Sequence, residues 1–519
     1  MAFAPSTTTP RPGWAPLVAV CLGTFMLLVD VSIVNVALPR MALDLHASFA
    51  GLQWVVDIYA LALAALLLIV GALSDVVGRR RTYLVGLAVF AAASLACGLA
   101  PSQGALLAAR AVQGIGAAAM FATTIALINA AYTGRARGIA FGIWGATNGA
   151  AAAAGPIVGG LLTEALSWRW AFFVNVPIGV IAIAVARSAV AEPARDGARP
   201  RVDWAGGASF TVAAAAATTA LVRANDEGWT STVTLGLLAL GVVALAGFVA
   251  IETRSPAPLL DLALLRHGPL AGVLVAALLY SAAAFAALIY ASIWLQTVLG
   301  LGAISAGLVT LPLTGLAFAV SALAGRFLHD MPPRLVLGGG LAVIGAGDLL
   351  QLGLGGGSDW PRLLAGLAVV GVGVGAVSPM LASAAMAAVP QERTGMAAGA
   401  VNTARQLGFA LGIAVLGSVF SSAIAGHLAD DAPGSGIAHT VASGGAQGVV
   451  AHAPAGARAS LDAAVHGAVG TALGTTFLTA GLAGVVGAAL VLALMREDRG
   501  ARVRAGRARA RRPAPAQTS

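Results

Sequence analysis

Apolar runs of about 20 residues, each long enough to cross a bilayer as a helix, recur along most of the chain. Only 10% of the residues are charged, whereas about a quarter would be charged in a soluble protein. The sequence therefore predicts an all-α membrane protein with about fourteen transmembrane helices. The predicted spans are roughly 15–39, 51–73, 82–100, 104–128, 139–163, 170–190, 204–222, 232–251, 269–294, 304–327, 335–354, 361–385, 397–424 and 471–495.

The arginines predict the orientation of these spans. All 30 basic residues are arginines. If the N-terminus is cytoplasmic, the outer loops keep only Arg40, Arg169, Arg223, Arg362 and Arg458, and the inner loops and the C-terminal tail hold all the other loop arginines. Because basic residues concentrate in cytoplasmic loops, we expect a multi-pass protein of the cell inner (plasma) membrane with both termini in the cytoplasm.

Several function classes lack the residues that they need. A chain without lysine has neither a P-loop nor a Schiff-base lysine. No nucleophile–base pair or metal-like cluster is evident, so we expect no enzyme, no metal and no cofactor. The basic tail 496–519 could bind anionic lipid or nucleic acid. We favour a disordered positive-inside anchor for the tail and expect no nucleic-acid partner.

An internal repeat predicts the domain organisation. Residues 135–160 align with residues 392–417 at an offset of 257, and residues 113–120 echo residues 372–379 at an offset of 259. Parallel six-helix halves around a central site are typical of one class of secondary transporter. We predict an N-terminal six-helix half (1–190), two inserted linker helices (191–268), a C-terminal six-helix half (269–495) that includes a solvated external loop (425–470), and a basic cytoplasmic tail (496–519).

The loop "GALSDVVGRRR" at residues 71–81 is the most specific motif. Its Gly71 and Gly78 permit close backbone approach. Asp75 can pair with arginines or cap a helix, and Arg79 and Arg80 face the cytosol in the predicted orientation. An ordinary positive-inside turn is the alternative interpretation.

This loop resembles the signature of the major facilitator superfamily. "RAVQGIGAA" (110–118), "VDVSIVNVALP" (29–39), "WRWAFFVNVPIG" (168–179) and "WLQTVLG" (294–300) are similar to motifs of its fourteen-helix drug:proton antiporters. The resemblance implies the major facilitator fold, with two six-helix halves plus two inserted helices, and a proton gradient as energy source. Val76 and Ala151 depart from the family motifs, and the second copy of the loop, 325–334, is degenerate.

The segment "GPIVGG" at 155–160 resembles the helix-five motif of the antiporters. The resemblance implies that Gly155, Pro156, Gly159 and Gly160 seal the cavity and allow bending between states. Close helix packing on small residues is the alternative.

Three charges lie within predicted spans of the first half. Asp30, Asp57 and Arg110 are about 13, 9 and 9 Å from the outer ends of their helices, which places them in one layer. One aspartate can form a structural ion pair with Arg110, which leaves the other for binding a proton or a cationic substrate. A fourth charge, Asp348, lies in the span 335–354, and we expect a structural role for it.

Aromatic and polar residues of the central spans are candidates for a substrate cavity, although packing or interface roles are equally open to them. These candidates are Trp144, Tyr280, Tyr290, Trp294, Arg405 and Gln406.

Together these features favour a proton-coupled exporter of hydrophobic, often cationic, drugs or antibiotics. Its partners would be a small-molecule substrate and the lipid bilayer, and we expect a monomer. The alternatives are a dedicated exporter of one endogenous metabolite, lipid or self-made antibiotic, and a membrane receptor or enzyme without transport.

Overall fold

A computed structural model describes residues 13–45, 49–192, 203–256, 258–265, 268–328, 331–355, 357–390, 393–431, 435–442 and 444–495. These residues form helices and connecting turns, and they contain no strand. The predicted all-α fold is therefore confirmed. The basic tail 496–519 lies outside the described residues.

The first part of the chain forms seven helices, which we call the N-half after the predicted domain. Ser102 Oγ accepts a hydrogen bond from the Ala105 amide and so caps α4. The helices are α1 (Ala15–Leu45), α2 (Phe49–Val77), α3 (Arg79–Gly98), α4 (Gln103–Ala131), α5 (Gly134–Ala165), α6 (Trp170–Phe173) and α7 (Asn175–Ala189).

A helical hairpin follows, formed by α8 (Trp204–Glu227) and α9 (Thr232–Glu252). Asp203 caps α8 through the Gly206 amide, and Ser231 caps α9 through the Thr234 amide. One face of α8 packs on α2, where Thr211 Oγ1 donates to Ala65 O at 3.1 Å.

The remaining helices include the C-half, named in the same way. Proline begins three of them, at a position where its missing N–H leaves no helical bond unmade. The helices are α10 (Leu262–Leu265), α11 (Pro269–Ala284), α12 (Ala287–Ile293) with a π-helical turn at Trp294–Val298, α13 (Ala303–Val309), α14 (Leu311–Phe327), α15 (Pro333–Leu349), α16 (Pro361–Ala387), α17 (Thr394–Asp431), α18 (Ser435–Ala442), α19 (Ala446–His452) and α20 (Arg458–Leu494).

Within the described ranges, ten helical stretches are long and apolar enough to cross a membrane. Large apolar side chains point outward from them, for example Val242 and Val243 of α9, which are 67% and 69% exposed. An exposed apolar surface of this kind suits contact with lipid. The protein is thus a multi-pass membrane protein, and the exact number of fourteen spans stays a prediction.

The segment 425–470, which the sequence predicted to be a solvated external loop, is largely helical in its described part. Helix α17 continues to Asp431, and α18, α19 and the start of α20 occupy most of the remainder. Val441 and Ala446 are 0% and 2% exposed and pack in the main core cluster. The apolar side chains of this segment are few, but they are spaced so that short helices can bury them.

The repeat is confirmed between α4 and α16, with a register that differs by two residues from the predicted one. Gly114 packs on α2 and Gly371 on α14, while Gly116 packs on α3 and Gly373 on α15. Equivalent glycines are therefore 257 residues apart in this pair of helices. This offset equals the one predicted for the segments 135–160 and 392–417.

The two halves meet near the end of the bundle where α2 gives way to α3. We call it the inner end, and it is the end predicted to be cytoplasmic. Gly71 is so close to α17 that an added β-carbon would lie 2.8 Å from Gly395 O. Farther in, Asn402 Nδ2 donates to Phe121 O at 2.9 Å, and Ser321 Oγ donates to Gly142 O at 3.1 Å. These contacts hold the two halves together at the inner end.

Candidate functional site

An ion pair lies inside the N-half, between α1 and α4. Arg110 Nη1 donates to Asp30 Oδ2 at 2.7 Å, and both side chains are 0% exposed. Arg110 Nε also donates to Val55 O at 3.0 Å, while its Nη2 has no hydrogen-bond partner. Opposite charges therefore neutralise each other in a site without access to solvent.

Three polar residues that sequence reasoning missed complete this cluster. Asp30 Oδ1 accepts hydrogen bonds from Gln113 Nε2 at 2.8 Å and from Asn175 Nδ2 at 2.7 Å. Gln113 Nε2 also donates to Ser94 Oγ at 2.7 Å, and Gln113 Oε1 accepts from Arg110 at 2.8 Å. Residues of α1, α3, α4 and α7 are thereby joined through one carboxylate. Both Gln113 and Asn175 are polar residues within apolar runs, a signal that could have identified them.

Asp57 does not join the cluster, although it was predicted to share its layer. Tyr59 lies on the same face of α2 as Val55, with the Arg110 guanidinium carbon 4.3 Å from its ring centroid. Asp57 is about 200° around the helix from Val55. It lines a small pocket with Trp54 and with Thr218 of α8. The structure thus brings Asp30 and Arg110 together and places Asp57 toward the inserted hairpin.

A second charged site lies at the inner end, between the halves. Asp75 Oδ1 accepts from Arg79 Nε and Nη2, each at 2.9 Å. The same carboxylate accepts from the amides of Gly395 at 3.2 Å and Met396 at 3.1 Å, in the first turn of α17. A carboxylate at a helix N-terminus is stabilised by the free amides and by the helix dipole. The N-half therefore holds the C-half through Asp75.

The turn after Asp75 is shaped by Gly78 and Glu192. Gly78 has φ of 124°, which disfavours any other residue, and an added β-carbon would meet the Glu192 carboxylate. Glu192 accepts from the amides of Arg80 and Arg81, both at 3.2 Å, in the first turn of α3. Arg80 Nη2 donates to Arg187 O at 2.7 Å. These contacts lie within the N-half and fix the start of α3 beside α7.

The segment 155–160 lies within α5, which continues as a helix through Pro156. Gly155 faces α1 so closely that an added β-carbon would collide with the Ser32 side chain. Gly159 and Gly160 are buried. The close contact accounts for the small residue at Gly155, and the role of the segment in bending stays a prediction.

The predicted cavity aromatics are packing residues in this arrangement. Trp144, Tyr280, Tyr290 and Trp294 are between 1% and 6% exposed. Trp144 Nε1 donates to Thr24 Oγ1 at 3.0 Å, and the Tyr290 hydroxyl donates to Ile413 O at 2.6 Å. In contrast, the predicted cavity residues Arg405 and Gln406 of α17 are half-buried.

A cavity of about 250 Å³ opens between the halves near the inner end. Phe141 and Arg137 of α5 line it together with Met380 of α16. Arg137 is held by Asn129, whose Oδ1 accepts from Arg137 Nη1 at 2.9 Å. Across the described part of the chain, no group of three or more His, Cys, Asp or Glu could hold a metal ion.

Two helical halves, a buried ion pair and a carboxylate that bridges the halves are consistent with a membrane transporter. A family model described as Major Facilitator Superfamily matches residues 20–413. The chain belongs to this superfamily, as its motifs predict, and family membership indicates a transporter rather than an enzyme.

Similar curated proteins are named for drug or antibiotic resistance. Multidrug resistance protein Stp of Mycobacterium tuberculosis is 38% identical over 411 residues, covering 78% of this chain and 75% of Stp. Puromycin resistance protein pur8 of Streptomyces alboniger is 36% identical, covering 81% of this chain and 84% of pur8. The tetracenomycin C resistance and export protein of Streptomyces glaucescens is 35% identical, covering 80% of this chain and 77% of that protein.

A solved structure shows the same fold. The human organic anion transporter MFSD10 (TETRAN) superposes with a TM-score of 0.61 at 15% sequence identity, covering 93% of this chain and 100% of that chain. At this identity the likeness concerns the fold alone.

Proposed function

We propose that the protein is a proton-coupled antiporter that exports hydrophobic small molecules, such as drugs or antibiotics, by alternating access. Membership of the major facilitator superfamily and the resistance names of its relatives support the export of small molecules. Support for proton coupling comes from one observation, the Asp30 carboxylate held inside the membrane by Arg110, Gln113 and Asn175.

Protonation of Asp30 would require a rearrangement of the N-half. A proton on Asp30 removes the negative charge and leaves Arg110 without its counter-ion. Losing one partner of a buried ion pair costs about 3–5 kcal/mol when the surroundings stay fixed. The protonated protein would therefore favour an arrangement in which Arg110 is solvated or paired differently. Proton binding and the relative position of α1, α3, α4 and α7 are coupled in this way.

The inner-end contact would transmit this rearrangement between the halves. Asp75 holds the first turn of α17 only while the inner end is closed. Substrate would enter from the opposite state, in which Asp75 and α17 are separated. Protonation of the cluster and release of the inner end are then two parts of one alternating-access cycle.

Flux into proteoliposomes tests this function, with an acidic lumen, a neutral bath and puromycin or tetracenomycin C as the substrate. We expect the wild-type protein to accumulate substrate and Asp30→Asn to retain only passive, downhill exchange. Asp44→Asn is the matched control, because Asp44 forms an exposed ion pair with Arg169, 2.9 Å long, and has no contact with the cluster. Full accumulation by Asp30→Asn would contradict a coupling role for Asp30.

A second candidate is an exporter dedicated to one compound. Its support is that two relatives are named for a single antibiotic each, puromycin and tetracenomycin C. A susceptibility panel of chemically unrelated drugs in a pump-deficient host separates the candidates. Resistance to several unrelated drugs favours the multidrug exporter, and resistance to one compound favours the dedicated exporter.

A further inference from the structure

The surface of α17 that faces the N-half changes character halfway along the helix. Near the inner end, Met396 and Asn402 are 4% and 2% exposed, because the two halves are in contact there. From Arg405 onward the residues on this side, including Gln406 and Phe409, are half-buried. Arg405 is 11 residues from the start of α17 at Thr394, which is about 16 Å along the helix axis. The buried contact between the halves therefore ends before Arg405, and we call the region beyond it the inter-half space.

Arg405 brings a full positive charge to this level. Its guanidinium carbon lies 5.7 Å from the centroid of the Tyr280 ring on α11. No carboxylate in the described ranges forms an ion pair with Arg405.

The other charges inside the membrane do not compensate Arg405. Asp30 is 0% exposed and bound to Arg110, and the two charges cancel. Asp348 is 2% exposed within the C-half. Asp57 lines the pocket beside α8. Half-buried Arg405 consequently leaves an uncompensated positive charge beside the inter-half space.

We propose that Arg405 is the anchor for a negatively charged group of the exported molecule, such as the carboxylate of an aromatic organic acid. A guanidinium matches a carboxylate with two parallel hydrogen bonds. Tyr280 contacts the guanidinium by a cation–π interaction and restricts its position. Gln406, the next residue of α17, is also half-buried and carries an amide donor. The proposal rests on the proposed export function and specifies its substrate class.

This anchor reverses the expected charge of the substrate. The sequence favoured cationic substrates because one aspartate was expected to remain unpaired in the layer of Asp30. In the structure, Asp30 is sealed by its donors and Asp57 faces the inserted hairpin. The charge that is half-buried beside the inter-half space is positive, and an anion gains from it most.

The test compares a carboxylic acid with its uncharged ester. Binding of 1-pyrenebutyrate and of its methyl ester to the purified full chain is measured by fluorescence in zwitterionic nanodiscs. Wild type should bind the acid about tenfold to a hundredfold more tightly than the ester, as expected for hydrogen bonds to a charged group. Arg405→Gln should remove this preference while ester affinity stays within about twofold, and Arg405→Lys should keep part of it. Arg458→Gln, at the start of α20, is the matched control.

Three outcomes would overturn the anchor: no acid binding by wild type, equal affinity for acid and ester, or an unchanged preference in Arg405→Gln. A parallel series with phosphatidylglycerol in the nanodiscs tests whether a lipid phosphate uses the site instead. Co-purification of this lipid with wild type but not with Arg405→Gln, without an acid preference, would also overturn the substrate anchor. Gradient-driven efflux of the ester separates the two proposals, because it persists if only the anchor is wrong and is absent if the export function is wrong.

Discussion

The contact of Asp75 with α17 gives the most quantitative prediction. Asp75→Asn removes a charge from a carboxylate that is 9% exposed and that faces the first-turn amides of α17. The contact with Arg79 lies within the N-half. We therefore expect it in both access states, so that its loss does not change their relative free energy. The remaining effect is the interaction of the Asp75 carboxylate with the N-terminus of α17. In a partly buried site, such an interaction stabilises the closed inner end by about 1–2 kcal/mol.

A loss of about 1–2 kcal/mol changes the ratio of inner-closed to inner-open protein by about 5-fold to 30-fold. We therefore expect Asp75→Asn to shift the population toward the inner-open state and to slow turnover. Substrate affinity within a fixed state should change little, because Asp75 lies at the inner end and contacts no part of the inter-half space near Arg405. The direction of the shift follows from the contact, which exists only when the inner end is closed.

Distances between spin labels at Ala136 and Met331, exposed residues near the inner ends of α5 and α14, measure these populations. The measurement uses a background in which Cys21 and Cys97 are replaced by alanine. Asp44→Asn is again the control. Hydrogen bonds from Trp168 and Arg169 hold the pKa of Asp44 below its usual range, so this variant also removes a charge at neutral pH. Populations equal to wild type in Asp75→Asn, together with lost transport, would refute the reasoning.

Four further substitutions test the stability of the fold. Asp348→Leu should raise the free energy of unfolding by about 1–3 kcal/mol, because Asp348 Oδ2 is buried without a hydrogen-bond partner; a lower thermal midpoint would contradict this. Gly116→Ala should lower the free energy of unfolding by about 1–3 kcal/mol, because its β-carbon would lie 2.7 Å from Phe90 N. Gly236 has open space around it, so Gly236→Ala should leave this free energy unchanged or raise it. Equal thermal midpoints for the two variants would count against the packing argument. Gly78→Ala should lower both stability and transport because of its positive φ and its contact with Glu192; wild-type values in melting and flux assays would be inconsistent with that strain.

The fold could be predicted from sequence because the bilayer restricts the choices. Three independent features of the sequence predict the same helices. They are the apolar runs, the alternation of arginine-rich and arginine-poor loops, and the internal repeat. The register between α4 and α16 was off by two residues because glycine is frequent on both helices. Only the packing partners of Gly114 and Gly371, α2 and α14, distinguish the two alignments.

The site was less predictable, because counting residues gives the depth of a side chain along its helix but not the neighbouring helix that it faces. Asp30, Asp57 and Arg110 do lie in one layer by residue count, but Asp57 points away from the other two around the axis of α2. The partners Gln113 and Asn175 are neutral, so a search for charges passed over them. The bond from Asp75 to α17 joins residues more than 300 positions apart, and sequence spacing carries no information about such a contact.

Proton movement driven by substrate tests the central claim of antiport most directly. Proteoliposomes with equal pH on both sides and a pH-sensitive dye in the lumen receive an outward gradient of a drug to which the protein confers resistance in the susceptibility panel. The account predicts that the lumen of wild-type vesicles becomes more acidic as substrate leaves, and that Asp30→Asn vesicles show no pH change beyond that of protein-free vesicles. Substrate efflux through the wild-type protein at constant lumenal pH would contradict it.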